Sequence, residues 1–239
     1  MSEPNTSMRK IPIRNPELLE ILNRYVDLRT RDEESFVKYM HMTCKHELEN
    51  RHYWVGDEYL RKIIDEGEGH EGFPDAMAGY EFRTNNLDHQ FFENPHPLTK
   101  EESDWRIKFM HDLGVCNADM INFMGCRNQA LAAVYPKDGF ISWHNNANAY
   151  AWNFIFSYSE TGEGCFKYWD IEKGEVVVMQ DEPGWTCKAG YFGHYGEPDK
   201  VFYHSAETDC WRHTVSFCFD ANDLSEFYRE QIIDEISSE

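Results

Sequence analysis

The 239-residue chain carries 43 acidic and 23 basic side chains, a formal net charge of −20, with 41% hydrophobic and 15% aromatic residues. This is the composition of a globular protein able to bury a sizeable core. The acidity disfavours nucleic acid as a partner, because nucleic-acid binders usually present a basic footprint. No apolar run approaches the roughly 18 residues a membrane helix requires.

The opening Met-Ser-Glu-Pro-Asn-Thr-Ser lacks the apolar segment of a signal peptide, which points to a cytoplasmic location. Seven cysteines without regular spacing fit reduced thiols better than a disulfide framework, and no Cys-x-x-Cys pair suggests structural zinc.

The first half reads as helical. Asn15 caps a helix with Pro16 at its first position, and Leu18, Leu19, Leu22, Tyr25 and Val26 follow at helical spacing. A second helix is expected from about Asp32, with Phe36, Val37, Met40 and Cys44 on one face. Tyr59, Leu60, Ile63 and Ile64 suggest a third.

Residues 65–98 lose periodicity and collect Gly, Pro, His, Asn and acidic residues around Tyr80, Phe82, Phe91 and Phe92. Such a length without periodicity reads either as a lid over a pocket or as an irregular covering of the core. Thr99 and Glu102 resemble a capping box, introducing a helix through Trp105, Phe109 and Leu113, with a shorter one near Ala118–Met124.

From Ala130 the period changes. Strands are expected at 130–135, 139–144, 151–158, 164–169, 174–180, 184–188, 200–205 and 211–219, and Gly or Pro breaks several of the gaps. Eight short strands suggest a β-sandwich or barrel, of which the jelly roll is one form. The tail carries Leu224, Phe227, Tyr228, Ile232, Ile233 and Ile236 on a final amphipathic helix. The organisation expected is a helical N-terminal region (1–129), a β core (130–220) and a C-terminal helix (221–239).

The chemistry concentrates at strand ends. The strand Phe140-Ile-Ser-Trp delivers His144, and alternate strand residues share a face, so His144 and Asn146 can converge on one ion. A third ligand must come from a distant strand, and His204, read as ending the apolar strand Lys-Val-Phe-Tyr, is the best candidate. On the strand Trp211-Arg-His-Thr-Val-Ser-Phe, residues Arg212, Thr214 and Ser216 share one face, while Trp211, His213, Val215 and Phe217 share the other. A buried arginine beside two hydroxyls calls for an anion, either a bound dicarboxylate or a local Asp or Glu.

This set resembles the 2-oxoglutarate- and iron(II)-dependent dioxygenases. Tyr135-Pro-x-x-Gly-x-Ile-x-Trp-His144 is similar to the opening of the nucleic-acid demethylase branch, where a tyrosine in this place binds the co-substrate. Ala189-Gly190 followed by Tyr203-His204 resembles the turn and strand leading to the family's distal histidine, and Arg212-x-Thr214 the grip on the far carboxylate of 2-oxoglutarate.

The resemblance spans about residues 130–219. It implies a fold that is mainly β with flanking helices: a double-stranded β-helix (jelly-roll) core preceded by a helical N-terminal half. It implies Fe(II), 2-oxoglutarate and O2 as cofactor and co-substrates, a metal held by His144, Asn146 and His204, and a co-substrate held by Tyr135, Arg212 and Thr214. The activity implied is hydroxylation of a protein side chain or a small molecule.

Asn146 stands where the family has Asp or Glu. It either ligates weakly as a neutral amide, leaves its position to water or an anion, or marks a domain without catalysis. Asn148 and Asp170 are possible substitutes. Trp143, Asn148, Tyr150 and Trp152 are the residues expected to line the substrate pocket. A silent jelly-roll binding module and a cupin-type metal enzyme without 2-oxoglutarate remain the alternatives.

Overall fold

The computed structural model describes residues 7–43, 47, 49–66, 77–84, 98–126, 128–146, 150–193, 197–220 and 222–239. Helices α1 (Pro16–Thr30), α2 (Glu33–Thr43), α3 (Arg51–Trp54) and α4 (Asp57–Glu66) precede most of the strands, α5 (Lys100–Met124) leads into them, and α6 (Asp223–Ser237) follows them. A short β1 (Arg9–Ile11) comes first, then β2 (Gly79–Tyr80) and β3 (Phe82–Arg83). The remaining strands are β4 (Asn128–Tyr135), β5 (Phe140–His144), β6 (Ala151–Ser159), β7 (Gly164–Asp170), β8 (Glu175–Gln180), β9 (Gly184–Phe192), β10 (His204–Thr208) and β11 (Arg212–Phe219).

Two antiparallel sheets form, ordered β1-β9-β6-β11-β4-β3 and β2-β5-β10-β7-β8. The polarity of the larger sheet decides where function can sit. Its outer face is apolar: Phe154, Phe156, Val215, Phe217 and Phe219 pack in one cluster with Leu18 and Leu22 of α1, Phe36 of α2, Phe109 and Leu113 of α5, and Ile236 of α6. The inner face turns the alternate residues towards the smaller sheet, and these include Asn153, Ser157, Arg212, Thr214 and Ser216. A sheet with its apolar side under helices and its polar side inward encloses a chamber suited to a polar ligand.

Local signals account for the helices. The Asn15 side chain accepts a hydrogen bond from the Leu18 amide, and Pro16 needs no donor at its position. Thr99 and Glu102 make a reciprocal capping box. The two helices expected after it form a single 25-residue α5. Phe109, Leu113, Cys116, Met120 and Met124 keep one buried stripe running through Gly114, and that continuous burial outweighs the glycine's low propensity. On α6, Ile232, Ile233 and Ile236 are buried, whereas Phe227 and Tyr228 face outward.

Three strand expectations change. The seventh strand begins rather than ends at His204, because Lys200–Tyr203 runs in with only a bridge from Val201 to Gly193. The strand expected at 184–188 continues to Phe192, so Ala189 and Gly190 lie inside β9 and pair with Phe154 and Asn153 instead of forming a turn. Within 65–98, β2 pairs with β5 of the smaller sheet and β3 with β4 of the larger, so 79–83 clasps both sheets along one edge. The remainder of that stretch beyond residues 65–66, 77–84 and 98 lies outside the described residues, as does Cys44. The six described cysteines are free thiols, and no helix among the described residues is long and apolar enough to cross a membrane.

His213 points outward, as the face alternation expects, and its ring accepts a hydrogen bond from Arg29 Nε at 3.2 Å. Burial, with the Arg29 charge adding to it, pushes the imidazole down to about 3. The unfolded chain therefore binds a proton here that the folded chain refuses. Stability contributed by neutral His213 is full above the unfolded value near 6.5 and is lost as pH falls towards about 3. Between pH 6.5 and 4.5 the expected slope is about 1.4 kcal/mol per pH unit from this group. Urea midpoints at pH 7.5 and 5.5 for the wild type and H213Q check it, and an equal fall in both proteins would refute the assignment.

Candidate functional site

A cavity of about 220 Å3 lies between the sheets, with His144, Asn146, His204, Tyr135, Arg83, Arg212 and Thr214 among its lining. A β-bulge builds one wall. His204 pairs with His144 but Ala206 pairs with Ile141, so Ser142 and Trp143 together stand opposite Ser205. Residues three apart on a regular strand face opposite sides. The extra residue turns both Ile141 and His144 inward, beside Ala206 and His204.

The two imidazoles meet with ring centroids 4.1 Å apart. Each is oriented by its own strand: His144 Nδ1 lies 2.7 Å from the Ser142 carbonyl oxygen, and His204 Nδ1 lies 3.1 Å from that of Phe202. A ring whose Nδ1–H donates to a carbonyl carries its lone pair on Nε2, the tautomer a metal-binding histidine needs. Burial, with His144 adding to it, holds His204 well below the usual histidine value, so the ring is neutral near pH 7.

Asn146, two residues past the end of β5, lines the same cavity. Among the described residues no group of three His, Cys, Asp or Glu side chains is placed to hold a metal. Among the described residues the donor set is therefore two imidazoles and one amide oxygen, which fits a divalent transition metal more weakly than a set with a carboxylate. Asp170 takes no part. Its carboxylate accepts from the Lys173 amide and ammonium at the β7–β8 turn.

Arg212 forms the charged floor. It is 1% exposed and bonds through Nε to Asp181 Oδ2 at 2.7 Å, through Nη1 to Thr214 Oγ1 at 2.5 Å and through Nη2 to Ser157 Oγ at 3.1 Å. These bonds take three of five guanidinium N–H groups. Asp181 Oδ1 accepts from Lys188 Nζ at 3.2 Å, and Lys188 is fully buried. Burial opposes the Arg212 charge, and Asp181 beside it more than offsets that, so the guanidinium stays firmly protonated. Burial also works against the Asp181 carboxylate, but its two cations hold it below the usual range. The Tyr135 ring lies 5.5 Å from the guanidinium carbon. Burial, reinforced by Glu81, raises its phenol well above the ordinary value, leaving it a hydrogen-bond donor.

The residues expected to line a substrate pocket are not brought together. Trp143 packs outside the smaller sheet with Tyr59, Leu60 and Ile63 of α4. Trp152 lies on the outer face of β6 beneath Arg229, because the cavity takes the odd-numbered residues Asn153 and Ile155 of that strand. Tyr150 is 49% exposed, and Asn148 lies outside the described residues. Arg83, Asn153, Asp181 and Lys188 join the site or its support without having been singled out. A lone lysine within the apolar run Trp185–Phe192 was the one available signal for any of them.

Gly164 shows how tightly the floor is packed. A Cβ there would lie 2.9 Å from both Asp181 Oδ2 and Thr208 Oγ1 and 3.1 Å from the Glu207 carbonyl. G164A is therefore expected to push Asp181 off Arg212 and to destabilise the fold by about 1–3 kcal/mol, measured by thermal denaturation. An unchanged melting temperature would show that the carboxylate has room to move.

No family model and no curated protein matches the chain. Among solved structures, a dioxygenase for auxin oxidation from Arabidopsis thaliana, in complex with 2-oxoglutarate, overlaps 93% of this chain and 86% of its own. That match has 11% identity and a TM-score of 0.34. A prolyl-4-hydroxylase from Pseudomonas putida overlaps 68% of this chain and 83% of its own at 10% identity and a TM-score of 0.30. A predicted oxalate decarboxylase from Thermotoga maritima overlaps 43% and 73% at 16% identity and a TM-score of 0.24. Overlaps of this size leave the functional reading to the geometry.

Proposed function

We propose that the chain is an iron(II)- and 2-oxoglutarate-dependent oxygenase built on a double-stranded β-helix core, hydroxylating a small molecule or a protein side chain. The observation that carries the reading is one cavity between the sheets that is lined by two backbone-oriented imidazoles and floored by an arginine. The strand order supports the fold assignment: the eight strands from β4 to β11 divide as β9-β6-β11-β4 against β5-β10-β7-β8.

His144, His204 and Asn146 would hold the metal, and Arg212, Thr214 and Tyr135 the far carboxylate of the co-substrate. The bound iron and 2-oxoglutarate supply the oxidising power that activates O2 for attack on a C–H bond. The chain's own residues orient both imidazoles through Nδ1 and present donors to the carboxylate. Phe166 and Phe192 line the cavity with them and limit the access of water.

Purified chain with Fe(II), O2 and 2-oxoglutarate is expected to release succinate slowly without a second substrate. N146D is expected to bind metal more tightly because a carboxylate replaces a neutral donor. Absence of both metal binding and succinate release in the wild type would refute the reading. A catalytically silent binding module is favoured by one observation, the lack of a third acidic donor among the described residues. Under that reading N146D would not create iron-dependent turnover.

A further inference from the structure

We propose that Lys188 and Asp181 act as positioning residues for Arg212, giving the cavity floor one uncompensated positive charge that selects ligands ending in a carboxylate. This deepens the 2-oxo acid reading of the cavity and rests on it. Lys188 stands on β9 opposite Ile155, on the inner face of the larger sheet, and is 0% exposed. Asp181 follows β8 and is 4% exposed. Each of its oxygens serves one cation, Oδ2 the Arg212 guanidinium and Oδ1 the Lys188 ammonium. Arg212 lines the cavity and Lys188 lies behind it, with Thr186 Oγ1 as a further acceptor at 3.3 Å.

The arithmetic of charge gives the arrangement its meaning. An Arg212–Asp181 pair alone is neutral and would attract a second carboxylate poorly. Adding Lys188 brings the ionised cluster to +1, and a buried net charge is costly until an anion joins it. Among the described residues, neighbouring charges do not remove the excess. Arg83 is paired with Glu81 at 2.6 Å, and the surface Lys10, in register with Lys188, reaches Glu182 at 3.4 Å. Asp181 meanwhile keeps the two cations from repelling each other and fixes the guanidinium plane, so the remaining Nη hydrogens have a set direction.

The charge states of designed variants separate this from a packing role. The wild-type cluster carries +1, K188M 0 and D181N/K188M +1 again. Calorimetric titration under nitrogen with Mn(II) would compare 2-oxoglutarate with 2-oxopentanoate, which keeps the 2-oxo acid but lacks the far carboxylate. The wild type is expected to prefer 2-oxoglutarate strongly. K188M is expected to lose at least tenfold in affinity for 2-oxoglutarate and little for 2-oxopentanoate, although residue 188 touches neither ligand. D181N/K188M is expected to recover to within about threefold of the wild type. If K188M does not fold, the double variant alone carries the test, and loss of its 2-oxoglutarate preference overturns the proposal. So does K188M binding as the wild type does, or a double variant no better than K188M. A wild type that fails to distinguish the two acids would instead refute the carboxylate-anchor reading itself.

Discussion

Replacing His204 with alanine is expected to abolish metal binding at micromolar concentrations while leaving the chain folded. Loss of a group that merely orients a metal ligand weakens binding about 10–100-fold, and loss of the ligand itself should exceed that. Among the described residues that line the cavity, no further imidazole, carboxylate or thiol can take over. His144 is already committed as the first imidazole, and among the described residues no third acidic or thiol donor joins the pair. The structural cost is small, because His204 gives up one hydrogen bond to the Phe202 carbonyl and contacts with Phe192 and Phe202. A neutral hydrogen bond is worth about 0.5–1.5 kcal/mol net.

Mn(II) binding followed by electron paramagnetic resonance would read the affinity, and circular dichroism the fold. Wild-type affinity in H204A would mean that the paired histidines are a structural feature and the metal site lies elsewhere.

How much of this was legible in the sequence follows from the range of each interaction. The strand alternation that puts Arg212, Thr214 and Ser216 on one face is local, and so is the turn Pro136–Gly139 that sends β5 towards the chamber. The β-bulge opposite Ser205 was not legible. It depends on how β10 pairs across the sheet, and it alone brings Ile141 and His144 to the same side.

Trp152 failed for a related reason. Strand β6 is buried on both faces, so its sequence Ala-Trp-Asn-Phe-Ile-Phe-Ser shows no alternation by which to choose the cavity side. The partner of Arg212 was foreseen only as a class, either a bound anion or a local acid. The structure supplies Asp181, which lies 31 residues away along the chain and is reached only because β8 and β11 belong to opposing sheets. Lys188 was visible only as an odd residue in an apolar run, since a single lysine in a strand reads as an edge residue until its acidic partner is known.

Asp181 is where that non-local chemistry should show most strongly, and D181A is expected to be among the most destabilising substitutions in the chain. It leaves Arg212 and Lys188, 1% and 0% exposed, facing each other without the carboxylate between them. Breaking a buried ion pair by removing one partner costs about 3–5 kcal/mol, since the remaining charge has neither water nor counter-ion. For a chain of this size that corresponds to a fall in melting temperature of about 6–20 °C.

The pH dependence separates electrostatics from a simple cavity. Burial already holds Lys188 below the ordinary lysine value, with Asp181 opposing, so removing Asp181 lowers it further. Folded D181A then binds fewer protons than the unfolded chain up to the unfolded lysine value near 10.4, and its stability rises with pH over that range. Between pH 7 and 9 the deficit relative to the wild type should therefore narrow. D181A/K188M, which restores one positive charge to the floor, should regain much of the lost stability at pH 7. A deficit that is constant with pH, and unrelieved in the double variant, would mean that Asp181 contributes packing volume rather than charge.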